Sequence, residues 1–134
     1  MPCILRFNAP DCDIDAIAAM LDLPIERLYR QGEPRTILSK RGSFTKSGLH
    51  IVTSEAEFEE FKQQVADTIA FVNLHLTALQ KSAALATQVE DCQFVFDFAI
   101  STRIFDTGVQ VDYFPPELVR LVGKLSAGIV LSQY

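Results

Sequence analysis

An apolar run opens the chain, Cys3 to Asn8, and is stopped by Ala9, Pro10 and Asp11, which is the mark of a strand running into a turn. Asp13 then stands where a helix cap is needed. Ile14, Ile17, Ala18 and Leu21 follow at helical spacing until Pro24 forbids continuation, so a short amphipathic helix is expected. Between Ile25 and Arg30 apolar and charged residues mix, with Leu28 and Tyr29 as anchors of a second strand at a sheet edge. Gln31 to Ser47 contains Gly32, Pro34, Gly42 and several Ser, Thr, Lys and Arg residues, too polar to bury and too irregular for a helix. It reads as the longest loop.

Alternation returns from Gly48 to Thr53, with Leu49, Ile51 and Thr53 on one face and His50 and Val52 on the other, as in a half-buried strand. Ser54 followed by Glu57 has the form of a capping box and sets the expected start of a second helix. Phe58, Phe61, Val65, Ile69, Val72, Leu76 and Leu79 recur at three- and four-residue steps, predicting a long helix over 55–86 with a candidate break near Asn73. Cys92, Phe94, Phe96, Phe98 and Ile100 alternate in the clearest strand pattern of the chain. Asp106, Thr107 and Gly108 read as a turn, and Val109, Val111 and Tyr113 alternate after it, so these two runs are expected to pair as an antiparallel hairpin. Pro116 suits the first turn of a last helix with Leu118, Leu121, Val122 and Leu125 on its buried stripe, before a final strand from Ile129 to Tyr134.

From Gly48 onward the order is strand, helix, strand, strand, helix, strand, the ferredoxin-like βαββαβ succession, preceded by a strand-helix-strand unit. The expected fold is therefore a single α+β domain over residues 1–134, a mainly antiparallel sheet with its helices on one face.

Composition narrows the setting. With 134 residues and 49% hydrophobic content the chain can bury one continuous core. No apolar run reaches the ~18 residues of a membrane helix, and Arg6 interrupts the first one, so neither export nor membrane insertion is expected. Cys3, Cys12 and Cys92 lie at no metal-binding or redox spacing and read as reduced thiols, which places the protein in the cytoplasm. The net charge of -5 argues against nucleic acid as a partner. Yet Arg27, Arg30, Arg35, Lys40, Arg41 and Lys46, six of the 12 basic residues, fall in one stretch opposed only by Glu33.

Candidate chemistry is sparse. His50 and His75 are isolated, no set of side chains has metal-ligand spacing, and no phosphate-binding or dinucleotide fingerprint occurs, so no cofactor or metal is expected. The cysteines read as packing residues, Cys92 because it opens a phenylalanine-rich strand. Asp11, Asp13 and Asp15 resemble the start of a calcium loop but lack its glycine and closing Glu. Asp97 and Asp112 on paired strands are candidates for a carboxylate dyad in a hydrolytic enzyme, against the plainer reading of solvent-facing residues. The strongest surface feature is the basic loop, with Arg30, Glu33, Arg35, Lys40, Arg41, Phe44 and Lys46 as the candidate ligand or partner surface, against the plainer reading of a solvated loop. Phe44 is the residue that a solvated loop does not explain.

The stretch Leu21, Asp22, Leu23, Pro24, then Leu28 to Pro34, then Ser47, Gly48 and Leu49, together with the ending Phe114, Pro115, Pro116, Glu117 and Leu118 through Tyr134, resembles the bacterial family called domain of unknown function 4279. That family places tryptophan near the Gly32 loop and after Gly48, where this chain has Tyr29 and Leu49. The resemblance implies the α+β architecture, transfers no active-site residue, and suggests an immunity-type protein that blocks a toxin by presenting a complementary surface. A non-enzymatic binding or interaction module with a protein partner is thus the first expectation. A small-metabolite sensor of ferredoxin-like form is the second, and exposed sheet edges allow a homodimer.

Overall fold

In the computed structural model, residues 2–35 and 42–134 are described, with 106 and 107 described by backbone alone. The elements in chain order are β1 (Cys3–Ala9), α1 (Ile14–Met20), β2 (Arg27–Tyr29), β3 (Ser47–Ser54), α2 (Phe61–Leu74), α3 (Leu76–Ala86), β4 (Gln93–Ile100), α4 (Ile104–Thr107), α5 (Pro116–Lys124) and β5 (Gly128–Gln133). They build an α+β domain around one five-stranded sheet of order β2-β3-β1-β4-β5. Three of its pairings are antiparallel and β4 with β5 is parallel. No helix among the described residues is long and apolar enough to cross a membrane.

One face of this sheet carries the core. Leu5 and Phe7 of β1, Leu49 and Ile51 of β3, and Phe94, Phe96 and Phe98 of β4 alternate onto it. Ile14 and Ile17 of α1, Phe61, Val65 and Val72 of α2, Leu79 of α3 and Leu118 and Val122 of α5 cover it. Phe61 and Phe114 meet Phe98 with ring centroids 5.7 and 5.5 Å apart, an edge-on cluster that fixes α2 over the end of β4.

Several expectations hold closely. The Asp13 carboxylate accepts from the Ala16 N–H and caps α1, β2 forms a three-residue edge strand, and Pro116 opens α5. Others need correction. The capping box at Ser54 and Glu57 does not form, because Ser54 ends β3, where its hydroxyl accepts from the Ala56 N–H and donates to Asp67 Oδ2. The helix starts instead at Phe61 and is interrupted at His75, so the expected helix over 55–86 is two helices joined near the anticipated break.

The expected hairpin is also absent. Val109, Val111 and Tyr113 are exposed and lie in no strand, α4 replaces the turn's approach, and β4 spends its two edges on β1 and β5. Without that strand the sheet order differs from the expected ferredoxin-like succession, while the α+β class and the helices on one face stand.

Gln64 is the polar tie between layers. It is fully buried in α2, and its amide donates to the Ala99 carbonyl of β4 at 2.8 Å and to the Glu57 carbonyl at 3.1 Å. Gln64→Leu leaves both acceptors without that donor, and urea unfolding is expected to show a loss of about 1–3 kcal/mol. A variant as stable as the wild type would mean that the tie carries no weight.

Candidate functional site

Because the helices cover a single face, every second residue of β1, β2, β3 and β4 points to the other, and the pairing register sets these residues in two rows. Arg27 lies opposite His50, His50 opposite Arg6, and Arg6 opposite Val95. In the next row Tyr29 lies opposite Gly48, Gly48 opposite Asn8, and Asn8 opposite Gln93. Positions far apart in the chain thereby become one polar floor.

The basic loop supplies the wall. Its described flanks hold each other: Gly32 N–H donates to the Phe44 carbonyl, Phe44 N–H to the Glu33 carbonyl, and Arg35 N–H to the Gly42 carbonyl, with a bridge between Pro34 and Ser43. This ladder lays Phe44 on Tyr29, with centroids 4.5 Å apart and planes 25° from parallel. The guanidinium carbons of Arg27 and Arg35 lie 5.8 and 5.5 Å from the Phe44 ring centroid, within cation–π range. Between floor and wall is a concavity of about 440 Å³ lined by Arg6, Asn8, Arg27, Tyr29, Arg35, Phe44, Thr45, Lys46, His50 and Gln93.

Its electrostatics are one-sided. None of the lining residues is a carboxylate. Arg6 reaches Asp97 at 3.2 Å, and Asp97 also accepts from the Ser132 hydroxyl, so that cation is compensated. Arg27, Arg35 and Lys46 have no ion-pair partner among the described residues. His50 records the result. Burial first, then Arg27 and Arg6, push it down to about 4, with Asp97 opposing weakly. Burial also raises the Tyr29 hydroxyl, which stays protonated beside these cations. Asn8 is only 7% exposed, and its amide nitrogen donates to Gln93 Oε1 while its Oδ1 has no hydrogen-bond partner.

Of the residues expected from the loop, Arg35, Phe44 and Lys46 line this concavity. Arg30 and Glu33 do not, since Arg30 forks onto Asp15 of α1 at 2.6 and 2.8 Å and also pairs with Glu33, stapling loop to helix. Lys40 and Arg41 lie outside the described residues. Arg6, Asn8, His50 and Gln93 join the site through the sheet register alone. Their signal in the sequence was a polar residue at alternate positions of otherwise apolar strands.

The remaining candidates disperse. Asp97 belongs to the open face, whereas Asp112 ion-pairs with Arg103 and accepts from Gln110 beside a groove bordered by α2. The paired strands that would have made them a dyad do not form. His75 stacks on Phe71 at the joint between α2 and α3. Burial pushes Cys3 and Cys92 up to about 11, which leaves both as thiols. Among the described residues no group of three or more His, Cys, Asp and Glu is placed to hold a metal ion. Comparison with known proteins returns no match, whether to a family model, a curated protein or a solved structure.

Gly48 is required by this geometry. A Cβ there would overlap the Tyr29 hydroxyl and come within 2.8 Å of Asn8 Cβ. Gly48→Ala is expected to destabilise by about 1–3 kcal/mol in chemical denaturation, and by less in a Tyr29→Ala background, where half of the obstruction is gone. Equal losses in the two backgrounds would contradict the contact.

A second expectation concerns pH. His50 binds its proton more weakly in the folded state, so its contribution to stability is complete above about 6.5 and disappears as the pH falls toward about 4. The ring is only partly buried and the neighbouring cations are screened by solvent, which reduces the effect to about 1 kcal/mol. His50→Gln should flatten the wild-type loss of stability between those pH values, and an unchanged profile in the variant would assign that loss to other groups.

Proposed function

We propose that this protein is a non-enzymatic binding module whose open sheet face recognises an anionic group on another molecule, with an acidic segment of a partner protein as the first reading. A single observation carries it: three cations, Arg27, Arg35 and Lys46, with no ion-pair partner among the described residues, border one concavity that has no carboxylate among its described lining residues. Bringing like charges together costs stability in the free protein, and an incoming anion removes that cost. The stacked Tyr29 and Phe44 give the surface a rigid aromatic wall of the kind that anchors interfaces. Membership of the domain of unknown function 4279 family and an immunity-type role are part of the same proposal, since such a protein acts by presenting a complementary charged surface. Its action in the cytoplasm belongs to the proposal too.

A small-metabolite sensor is the second reading, favoured by the volume of the concavity, about 440 Å³, which lies within the range of small-ligand sites. Affinity purification of tagged protein from its native host, read by mass spectrometry, separates the two. A partner retained by the wild type and lost in Arg27→Glu/Arg35→Glu/Lys46→Glu is the expected result. Equal recovery with both proteins would remove the concavity from the interaction.

A further inference from the structure

The same concavity has an inner end that is more specific than its charge. His50 sits at the centre of the floor, with Arg6 of β1 on one side, Arg27 of β2 on the other, and Tyr29 against its ring at 5.5 Å. Asp97 of β4 faces it from behind Arg6, and Arg35 and Lys46 border the same space from the loop. Asn8, nine-tenths buried, lies in the floor next to Tyr29, with its amide nitrogen held by Gln93 Oε1.

Resting on the reading of this concavity as a binding surface, we infer that it seats a phosphate-type dianion between Arg27, Arg35, Lys46 and His50. Two charges on one compact group answer three uncompensated cations better than a single carboxylate does. Binding is coupled to proton uptake, because the anion offsets Arg27 and Arg6, which add to burial in holding His50 neutral. A phosphorylated metabolite and a phosphorylated side chain both present this chemistry.

The test uses isotope-labelled full-length protein and amide NMR, titrated with inorganic sulfate, which stays dianionic from pH 5 to 7.5, against sodium chloride at equal ionic strength. Saturable shifts centred on Gly48, His50 and the Asn8 side-chain amide are expected, with binding about tenfold tighter at pH 5 than at pH 7.5. His50→Gln, which keeps a polar side chain on the floor, should abolish that pH dependence, and Arg35→Glu/Lys46→Glu at the exposed rim should weaken binding at least tenfold. At pH 7.5, glycerol phosphate and a phosphoserine peptide then distinguish the source, the tighter of the two identifying it. Sulfate shifts no larger than those from chloride, or a pH dependence that survives His50→Gln, overturns the inference. Retention of a partner without sulfate binding would sink the inference and leave the binding-module reading standing, and sulfate binding without a partner would keep the inference and replace the protein partner by a small phosphorylated ligand.

Discussion

Packing of α2, through Phe61, Val65 and Val72, into the core over β3 and β4, where Phe61 meets Phe98, is the interaction on which the rest of the structure depends. It commits all of the covering helices to one face of the sheet. Strand alternation then leaves Arg6, Asn8, Tyr29, His50 and Gln93 on the other face, where no helix shields them. The site is thus a by-product of where the core is, and its residues could not converge if α2 packed elsewhere. A loop ladder and one aromatic stack finish it. Phe44 packs down on Tyr29, carrying Arg35 toward the floor, and Gly48 makes room for the Tyr29 ring.

Where a pattern reports a face, the sequence was legible. Period-two alternation placed Leu49 and Ile51 on the opposite side from His50, and the Asp13 cap, the Pro116 start and the β2 edge strand all form. Pairing is a different matter, because alternation says which residues share a face and nothing about which strand lies alongside. Val109, Val111 and Tyr113 alternate well, yet β4 already has a neighbour on each edge. Ser54 fails as a cap for a related reason. Its hydroxyl is claimed by Asp67, a residue thirteen positions away that only the folded chain brings near.

The candidate site divides along the same line. Local sequence named Arg35, Phe44 and Lys46 because they cluster in one polar stretch, and the same clustering wrongly recruited Arg30 and Glu33, which are drawn aside by Asp15. Arg6, Asn8, His50 and Gln93 were hidden because register, a long-range property, assembles them. A chain of net charge -5 here keeps Arg27, Arg35 and Lys46, which have no ion-pair partner among the described residues, around one polar floor. Burial, with Arg27 and Arg6 beside it, keeps His50 neutral, and under the proposal an anion and a proton are taken up together.

Diffraction from crystals soaked in selenate, a dianion with an anomalous signal, tests this account most directly. It predicts an anomalous peak in the concavity, within hydrogen-bond reach of at least two of Arg27, Arg35, Lys46 and His50. A concavity that stays filled with ordered water while selenate settles at other surface cations would contradict it.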